Sequence, residues 1–373
     1  MEILPLSLRN RLQERIAQGN YRQLRQYSSI ATDFFSNDYL GLSQNKAFEQ
    51  RLLDAVYANP KLLGGSTGSR LISGNSQIVE DVEQYIATIH RIESALLFGS
   101  GYQANLALFG NLPTPRDTII VDEYIHRSVH DGCSLSRASK WKFKHNDLLD
   151  LERLLQQATG EVYVAIESLY SMEGDLAPLE EIVVLTQRYG AFLIVDEAHA
   201  IGVYGLGRVS ELGLCLQVFA TVVTYGKAMG VHGASVLGSA ALKSALVNFG
   251  SPFIYSTSPS PLMAVSMRVA YEFILTHKDL QKKLQGVIHT YQSLAPKGMS
   301  VTASPIQTIR LNKVNNVTDL MTDLQKAAIN VCVIRPPTVA VGTERLRICL
   351  HTFNTQEEII QLFQIIKQHN GTH

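Results

Sequence analysis

Short apolar segments that alternate with helical stretches are the feature that most restricts the fold of this chain. The segment Phe192-Leu-Ile-Val195 carries no polar residue, as expected for a strand that is buried on both faces. Parallel sheets covered by helices bury strands in this way, so the alternation predicts a doubly wound α/β core. The predicted strands are 94–98, 118–121, 162–167, 192–196, 218–224 and 235–238, and the predicted helices are 77–90, 104–109, 148–157 and 179–189.

The last hundred or so residues have a different pattern, which favours a small α+β domain. Helical stretches at 261–276 and 280–294 precede a strand at 308–311, a helix at 317–328, a strand at 346–350 and a final helix from 356. We therefore predict a large α/β domain over residues 43–260 and a small domain over 261–373. Residues 1–42 are predicted to pack with the small domain.

The charge balance excludes several classes of protein. Lys and Arg number 33, as do Asp and Glu, so the 373-residue chain lacks the basic field that binding to nucleic acid or to anionic membranes requires. No secretory leader and no apolar run of about 18 residues is apparent, which favours a cytoplasmic protein without a membrane partner. The cysteines are scattered without CxxC pairs, so no metal site or disulfide is expected among Cys133, Cys215, Cys332 and Cys349.

Two charged residues at neighbouring strand ends carry the main chemical prediction. Asp196 ends an apolar strand, and Lys227 follows the next strand within Thr224-Tyr-Gly-Lys227. The carboxyl ends of strands in open α/β sheets are where ligands bind. A carboxylate buried there needs a cation, and a partly desolvated lysine has the lowered pKa that Schiff-base chemistry requires.

Pyridoxal phosphate requires such a pair, with a lysine for its aldehyde and an acid that keeps the pyridine nitrogen protonated. Considered alone, the pair is equally consistent with a structural ion pair between Asp196 and Lys227. Other strand ends favour the cofactor, because a glycine turn before a helix can cradle a phosphate and further polar side chains follow other strands. These are the turn Gly99-Ser-Gly101, His126, His199 and Ser171.

Nearly the whole chain resembles the α-oxoamine synthases, pyridoxal-phosphate enzymes with the aspartate-aminotransferase-type fold. The resemblance rests on motifs that occur in the order of that family. They are Ser36-Asn-Asp-Tyr-Leu-Gly41, Gly64-Gly-Ser-Thr-Gly-Ser-Arg70, Gly99-Ser-Gly-Tyr-Gln-Ala-Asn105, His145-Asn-Asp147, Ser171-Met-Glu-Gly-Asp175, Asp196-Glu-Ala-His199, Thr224-Tyr-Gly-Lys227, Tyr255-Ser-Thr257 and Arg335-Pro-Pro-Thr338.

The resemblance implies roles around the cofactor ring. Lys227 would hold pyridoxal 5'-phosphate covalently, and Asp196 would bind the pyridine nitrogen. His126 would stack on the ring and polarise the carbonyl of an acyl substrate. His199 and Ser171 would bond around the phenolic oxygen.

The resemblance also implies a phosphate site and a homodimer. Gly101, Tyr102 and Thr224 would hold the phosphate of the same subunit. Ser256 and Thr257 would reach the phosphate of the neighbouring subunit, so the active sites would lie at the dimer interface.

The substrate residues implied by the resemblance lie near both chain ends. Asn37 and Arg347 would bind the carboxylate of the amino acid, to which an arginine can donate two hydrogen bonds. Arg22 and Thr338, with Arg335 nearby, would bind the acyl thioester, carried by coenzyme A or by a carrier protein.

The implied reaction is a decarboxylating condensation of L-alanine with a pimeloyl thioester. Arg335-Pro-Pro-Thr338 favours these substrates over those of other family members such as glycine acetyltransferase, 5-aminolevulinate synthase and serine palmitoyltransferase. Ala340, where a proline is usual, and Thr67 depart from the pattern without removing a chemical group.

Two alternatives from other classes remain open at this stage. An aminotransferase would share Lys227 and Asp196 but would form no carbon–carbon bond. A non-catalytic subunit would have lost the lysine or its acid partner, and both are present here.

Overall fold

The computed structural model describes residues 4–19, 21–24, 31–297, 299–311, 317–334 and 343–369. Its strands are β1 (Thr32–Asp33), β2 (Ser94–Phe98), β3 (Thr118–Asp122), β4 (Ser139–Phe143), β5 (Val162–Glu167), β6 (Phe192–Asp196), β7 (Ala220–Thr224), β8 (Ala234–Gly238), β9 (Ile306–Arg310), β10 (Ile329–Asn330), β11 (Cys332–Ile334) and β12 (Arg345–Cys349). Its helices are α1 (Leu6–Ala17), α2 (Lys46–Ala58), α3 (Gln77–His90), α4 (Gly101–Asn111), α5 (Arg127–Ser136), α6 (Leu148–Gln157), α7 (Leu179–Arg188), α8 (Arg208–Glu211), α9 (Ala240–Phe249), α10 (Ser251–Ile254), α11 (Pro261–Thr276), α12 (Asp279–Leu294), α13 (Val317–Lys326) and α14 (Gln356–His369).

A seven-stranded sheet in the order β2-β8-β7-β6-β5-β3-β4 organises the large α/β region. The strands from β7 to β4 are all parallel, and β8 runs antiparallel to both of its neighbours. The carboxyl ends of the parallel strands therefore meet at one edge, which is where open α/β sheets bind their ligands. This topology confirms the predicted fold class.

Helices cover both faces of the sheet, which explains the wholly apolar strands. Along β6, Ile194 packs in one layer with residues of α4, α5 and α9. Its neighbours Leu193 and Val195 pack in the opposite layer with residues of α6 and α7. Successive side chains of a strand point to opposite faces, so a strand covered on both sides needs apolar residues throughout.

The edge strand β4 was not predicted, and its composition explains why. Its sequence Ser-Lys-Trp-Lys-Phe places Lys140 and Lys142 in exposed positions. Charged side chains are common on edge strands, where they discourage pairing with another molecule. Because alternate residues of this strand are charged, it shows no apolar run, and the sequence pattern did not reveal it.

Capping side chains set the starts of helices α4 and α6. Ser100 accepts a hydrogen bond from the backbone N–H of Gln103, which begins α4 three residues before the predicted start. Asp147 caps α6 in the same way through the N–H of Asp150. Such caps satisfy N–H groups that the first turn leaves without partners within the helix.

The C-terminal part forms a smaller sheet that also binds the N-terminal segment. The order of this antiparallel sheet is β11-β12-β9. Nearby, β1 pairs in parallel with β10, with Thr32 opposite Ile329. The N-terminal segment therefore contacts the C-terminal region, while the domain limits near residues 42 and 260 remain a prediction. No helix within the described ranges is long and apolar enough to cross a membrane.

A glycine close to a buried carboxylate provides a test of the fold. Gly207 has φ 101°, and a Cβ atom there would collide with the carboxylate of Glu197, which is buried and accepts the N–H of Val209. Gly190 also has a positive φ, of 64°, but faces open space. We expect Gly190→Ala to lower the free energy of unfolding by about 1–2 kcal/mol through its backbone alone. Gly207→Ala should cost about 1–3 kcal/mol more, because its φ of 101° with ψ of 165° is less accessible to alanine and because the added Cβ overpacks against Glu197. Urea unfolding of both variants measures the difference.

Candidate active site

Residues from three adjacent strand ends converge at the carboxyl edge of the large sheet. Glu167 ends β5, Asp196 ends β6, and Lys227 follows β7 by three residues. Glu167 and Asp196 lie opposite each other in the parallel register. His199 comes from the turn after β6. The structure thus brings together the lysine and the acid that the sequence singled out.

The amine of Lys227 is half-buried and contacts a buried histidine. Its Nζ lies 2.7 Å from Nε2 of His199. Desolvation lowers the pKa of Lys227 to about 8, although the carboxyls of Asp196 and Glu167 oppose the shift. Arg347 adds a smaller lowering effect. Near neutral pH the neutral form of the amine, which a nucleophile or base requires, is therefore far more populated than in an ordinary lysine.

The ring of His199 connects Lys227 to the N-terminal segment. Its Nδ1 lies 2.7 Å from the hydroxyl of Tyr39, which in turn donates to Oδ1 of Asn37 at 3.1 Å. Desolvation and the cation of Lys227 hold the pKa of His199 well below its usual range, so the ring is neutral. Nδ1 therefore carries the hydrogen when Lys227 donates to Nε2.

Asp196 accepts two hydrogen bonds, and one of the donors, Asn105, links it to His126 through Ser128. Its Oδ1 accepts the N–H of Ala198 at 2.9 Å, and its Oδ2 accepts Nδ2 of Asn105 at 2.9 Å. Asn105 also contacts the hydroxyl of Ser128 at 2.9 Å, which lies 2.8 Å from Nδ1 of His126. The ring of His126 is exposed at the end of this chain of contacts. Sequence reasoning missed Ser128 and gave Asn105 no role.

Glu167 is a second buried acid, which the sequence analysis treated only as the end of a strand. The residue is 3% exposed, and its Oε2 accepts the N–H of Ser171 at 3.0 Å. Its Oε1 has no hydrogen-bond partner among the described residues. Desolvation and the adjacent Asp196 raise the pKa of Glu167 well above its usual range. Burial beside a second carboxyl therefore favours the protonated form of Glu167.

Arg347 and Asn37, which the resemblance assigned to the same substrate carboxylate, contact each other. Nη2 of Arg347, a buried residue of β12, donates to Oδ1 of Asn37 at 2.9 Å. Nε donates to the backbone carbonyl of Ser171 at 2.6 Å, and Nη1 contacts Sγ of Cys349 at 3.0 Å. The hydroxyl of Tyr39 lies 3.3 Å from Nη2. The guanidinium is thus fixed before any substrate carboxylate binds.

The first turn of α4 fits a phosphate group. Gly101 is the first residue of this helix, and a Cβ atom there would collide with the hydroxyl of Thr224. Only a glycine allows the helix N-terminus to approach β7 so closely, and helix N-termini bind anions. Tyr102 is exposed, and its hydroxyl donates to Asp131 at 2.6 Å.

The remaining predicted residues lie in other surroundings. Ser256 and Thr257 line a small crevice with Gly99 and Gln103, next to the start of α4. Arg22 is exposed in the N-terminal segment. Two further predicted residues, Arg335 and Thr338, lie outside the described residues.

These residues fit pyridoxal phosphate. Lys227 would hold its aldehyde carbon, Asp196 its pyridine nitrogen, and Gly101 with Thr224 its phosphate. The close approach of α4 to β7 supports the phosphate position, and the two hydrogen bonds that hold the Asp196 side chain at the end of β6 support the nitrogen position. The individual roles remain predictions.

Comparisons with known proteins agree with this site. The family aminotransferase class I and II matches residues 29–365. The chain is 40% identical to the 8-amino-7-oxononanoate synthase of Emericella nidulans, over 96% of this chain and 94% of that protein. It is 35% identical to 8-amino-7-oxononanoate synthase 2 of Bacillus subtilis, over 90% and 88% of the two chains.

Solved structures have the same fold. The serine palmitoyltransferase of Sphingomonas wittichii superimposes with a TM-score of 0.82 at 25% identity, covering 98% of this chain and 96% of that one. The 8-amino-7-oxononanoate synthase of Francisella tularensis has a TM-score of 0.76 at 27% identity, covering 91% and 98%.

The chain therefore belongs to the class I and II aminotransferase family. Within that family its relatives place it among the α-oxoamine synthases, which confirms the resemblance found in the motifs.

The lowered pKa of Lys227 predicts how the protein takes up its cofactor. Only the neutral amine attacks an aldehyde, so uptake of pyridoxal phosphate by the cofactor-free protein should accelerate as the pH rises and level off above about 8. Asp196→Asn removes a carboxylate that favours the ammonium form of Lys227. The midpoint of the pH profile of cofactor uptake by this variant should therefore lie at a lower pH than that of the wild type. Stopped-flow absorbance measures both profiles. A midpoint near 10.5, the ordinary value for lysine, would contradict desolvation of the amine.

Proposed function

We propose that this chain catalyses the decarboxylating condensation of L-alanine with a pimeloyl thioester to give 8-amino-7-oxononanoate, a step of biotin biosynthesis. A bond forms between Cα of alanine and the thioester carbonyl carbon, and the thiol and carbon dioxide leave. The observation that carries the proposal is the 40% identity to the Emericella nidulans enzyme, maintained over nearly the full length of both chains.

Pyridoxal 5'-phosphate is the cofactor of this enzyme. When bound, it supplies an electron-poor ring that stabilises negative charge at Cα of the amino acid. Asp196 would bind the ring nitrogen. Glu167 would favour this arrangement by remaining protonated, since a second buried negative charge next to Asp196 is costly.

Arg347 binds the carboxylate of the amino acid. A planar guanidinium offers two parallel donors to the two oxygens, which fixes the orientation of the substrate as well as its position. Asn37 and the carbonyl of Ser171 hold this guanidinium in place. The Cα–H bond is thereby directed towards Lys227.

Lys227 removes the proton from Cα and later returns one. Its pKa of about 8 suits an amine that must be neutral to accept the proton and charged to give it back near neutral pH. His199 contacts Nζ and stays neutral, so it orients the amine without competing for the proton. The hydroxyl of Tyr39 fixes the ring of His199 from the other side.

His126 acts on the acyl donor. Its ring is exposed at the rim of the site, while Ser128 holds its Nδ1, so Nε2 can donate a hydrogen bond to the thioester carbonyl. Arg22, Arg335 and Thr338 are proposed to bind the remainder of the donor, which is coenzyme A or a carrier protein.

The enzyme is proposed to act as a homodimer. Leu71, Ile72 and Tyr255 are exposed apolar residues, and a bridge between Ser69 and Thr257 brings their two segments together. A contiguous apolar surface of this kind is typical of a protein interface. This surface adjoins Ser256 and Thr257, which are proposed to reach the phosphate bound in the neighbouring subunit.

Condensation of serine with a long-chain acyl thioester is the second candidate. It is favoured by the higher TM-score to serine palmitoyltransferase, 0.82 against 0.76. A panel of alanine, glycine and serine with thioesters of several chain lengths distinguishes the two. Pyruvate without release of a thiol would instead indicate an aminotransferase.

Replacement of the lysine tests the reaction itself. Lys227→Ala should remain folded but lose turnover of alanine and pimeloyl-CoA by about 10²–10⁴-fold or more, because no base reaches Cα. Thiol release and carbon dioxide are measured in parallel, with exposed Lys283→Ala as the control. Full turnover by Lys227→Ala would refute the proposed mechanism.

Replacement of Arg347 tests amino-acid binding. Loss of a charge-assisted pair costs about 1.5–3 kcal/mol, so Arg347→Gln should raise the KM for alanine about 10–150-fold. The affinity for pyridoxal phosphate should change little. Arg310→Gln, on the exposed side of the neighbouring strand β9, is the control. An unchanged KM in Arg347→Gln would mean that the carboxylate is bound elsewhere.

A further inference from the structure

His145 joins two carboxylates that come from different strand ends, and the proposed function assigns it no role. The residue follows β4 in the motif His145-Asn-Asp147. Its Nδ1 lies 3.0 Å from Oδ1 of Asp122 at the end of β3, and its Nε2 lies 2.7 Å from Oδ2 of Asp175, beyond β5. Both ring nitrogens therefore have carboxylate partners.

The surroundings of His145 keep it charged. Desolvation lowers its pKa, but the hydrogen bonds and charges of Asp122 and Asp175 outweigh this effect and raise the pKa to about 10. Two aromatic rings flank His145. The centroid of its ring lies 4.5 Å from that of Tyr124 and 4.4 Å from that of Tyr170, which is perpendicular to it. The result is a rigid, charged bridge.

One arm of this bridge holds the turn that carries His126. Asp122 is buried, and its Oδ1 also accepts the N–H of Tyr124 at 2.8 Å. The N–H of Ile125 donates to the backbone carbonyl of Asp122 at 3.1 Å. The next residue is His126, which caps the start of α5. The carboxylate of Asp122 thus stabilises the turn that orients His126.

The other arm holds the loop 170–175, which supports Arg347. Tyr170 donates its N–H to the carbonyl of Asp175 at 3.0 Å, so the loop ends are tied together. Within the loop, the carbonyl of Ser171 accepts Nε of Arg347 at 2.6 Å. The position of Asp175 thereby determines where this carbonyl lies.

We propose that His145 is a positioning residue that sets the spacing between the acyl-donor group His126 and the carboxylate-binding Arg347. This inference rests on the proposed function, because it assumes those two roles. The loop has further anchors, since Glu173 pairs with Arg345 at 2.9 Å and the hydroxyl of Ser304 donates to the carbonyl of Gly174 at 2.6 Å. Loss of the bridge should therefore shift the loop without unfolding it.

The test uses holoenzyme with the amino acid that the wild type turns over. His145→Gln should raise the KM for that amino acid about tenfold and also lower kcat about tenfold, because both arms are affected. Asp175→Asn weakens only the loop arm, so it should raise KM with little change in kcat. Titration of the cofactor absorbance with the amino acid alone gives its dissociation constant, which should rise in parallel with KM.

Matched controls separate positioning from stability. Asp117→Asn removes a carboxylate at the opposite end of β3, where Asp117 accepts the N–H groups of Thr114 and Glu161. It should lower the melting temperature without changing KM or kcat. Kinetic constants of His145→Gln and Asp175→Asn that match the wild type would overturn the proposal, whatever their melting temperatures. If His145→Gln does not fold, the KM of Asp175→Asn decides alone.

The same titration distinguishes a failure of the proposed function from a failure of the positioning role of His145. A wild-type holoenzyme that binds none of the candidate amino acids contradicts the proposed function. A wild type that binds one of them, together with variants that bind it equally well, contradicts only the role of His145.

Discussion

The competition between burial and charge around Lys227 is the interaction on which the other features of the site depend. A lysine withdrawn from water loses its proton more readily, while nearby carboxylates oppose that loss. Glu167 reduces the opposition by holding its own proton, because burial raises its pKa. Neutral His199 then contacts the amine without adding charge. The protonation states of Lys227, Glu167 and His199 are thus set together by burial, and the substitution of one would change the others.

The site depends on the whole chain being folded. Asn37 and Arg347 are 310 positions apart in the sequence, yet their side chains form a hydrogen bond. Asp196 is linked to Asn105 across 91 positions. Contacts between such distant segments are costly in chain entropy until the sheet has formed. The residues of the large sheet alone would supply the lysine and its acids, but they would lack Arg347, which is proposed to bind the substrate carboxylate.

Much of the large sheet could be predicted from the sequence, because strands covered on both faces need apolar residues throughout. The strands β2, β5 and β6 and the helices α3 and α6 have the predicted bounds. The edge strand β4 and helix α5 were missed, since neither shows an uninterrupted apolar pattern. Asp196 and Lys227 could be inferred from the strands that they follow. The resemblance to a family assigned Arg347 and Asn37 to one substrate group, but their direct contact was not predicted.

Other parts of the site depend on register, which the sequence does not specify. Nothing in the local sequence of Glu167 indicates that it lies opposite Asp196 and therefore holds a proton. The path from Asp196 through Asn105 and Ser128 to His126 likewise joins three segments whose proximity follows from strand order. These contacts become visible only when the sheet is assembled.

The contact between Arg347 and residue 171 is made to a main-chain carbonyl, which every amino acid possesses. The guanidinium therefore keeps this anchor whatever side chain residue 171 carries, provided that the backbone stays in place. A substitution of Ser171 would remove the hydroxyl that the family resemblance assigns to the cofactor, and the hydrogen bond to Arg347 would remain. One residue thus contributes to two parts of the site through chemically independent groups, and the two contributions can be separated by mutation.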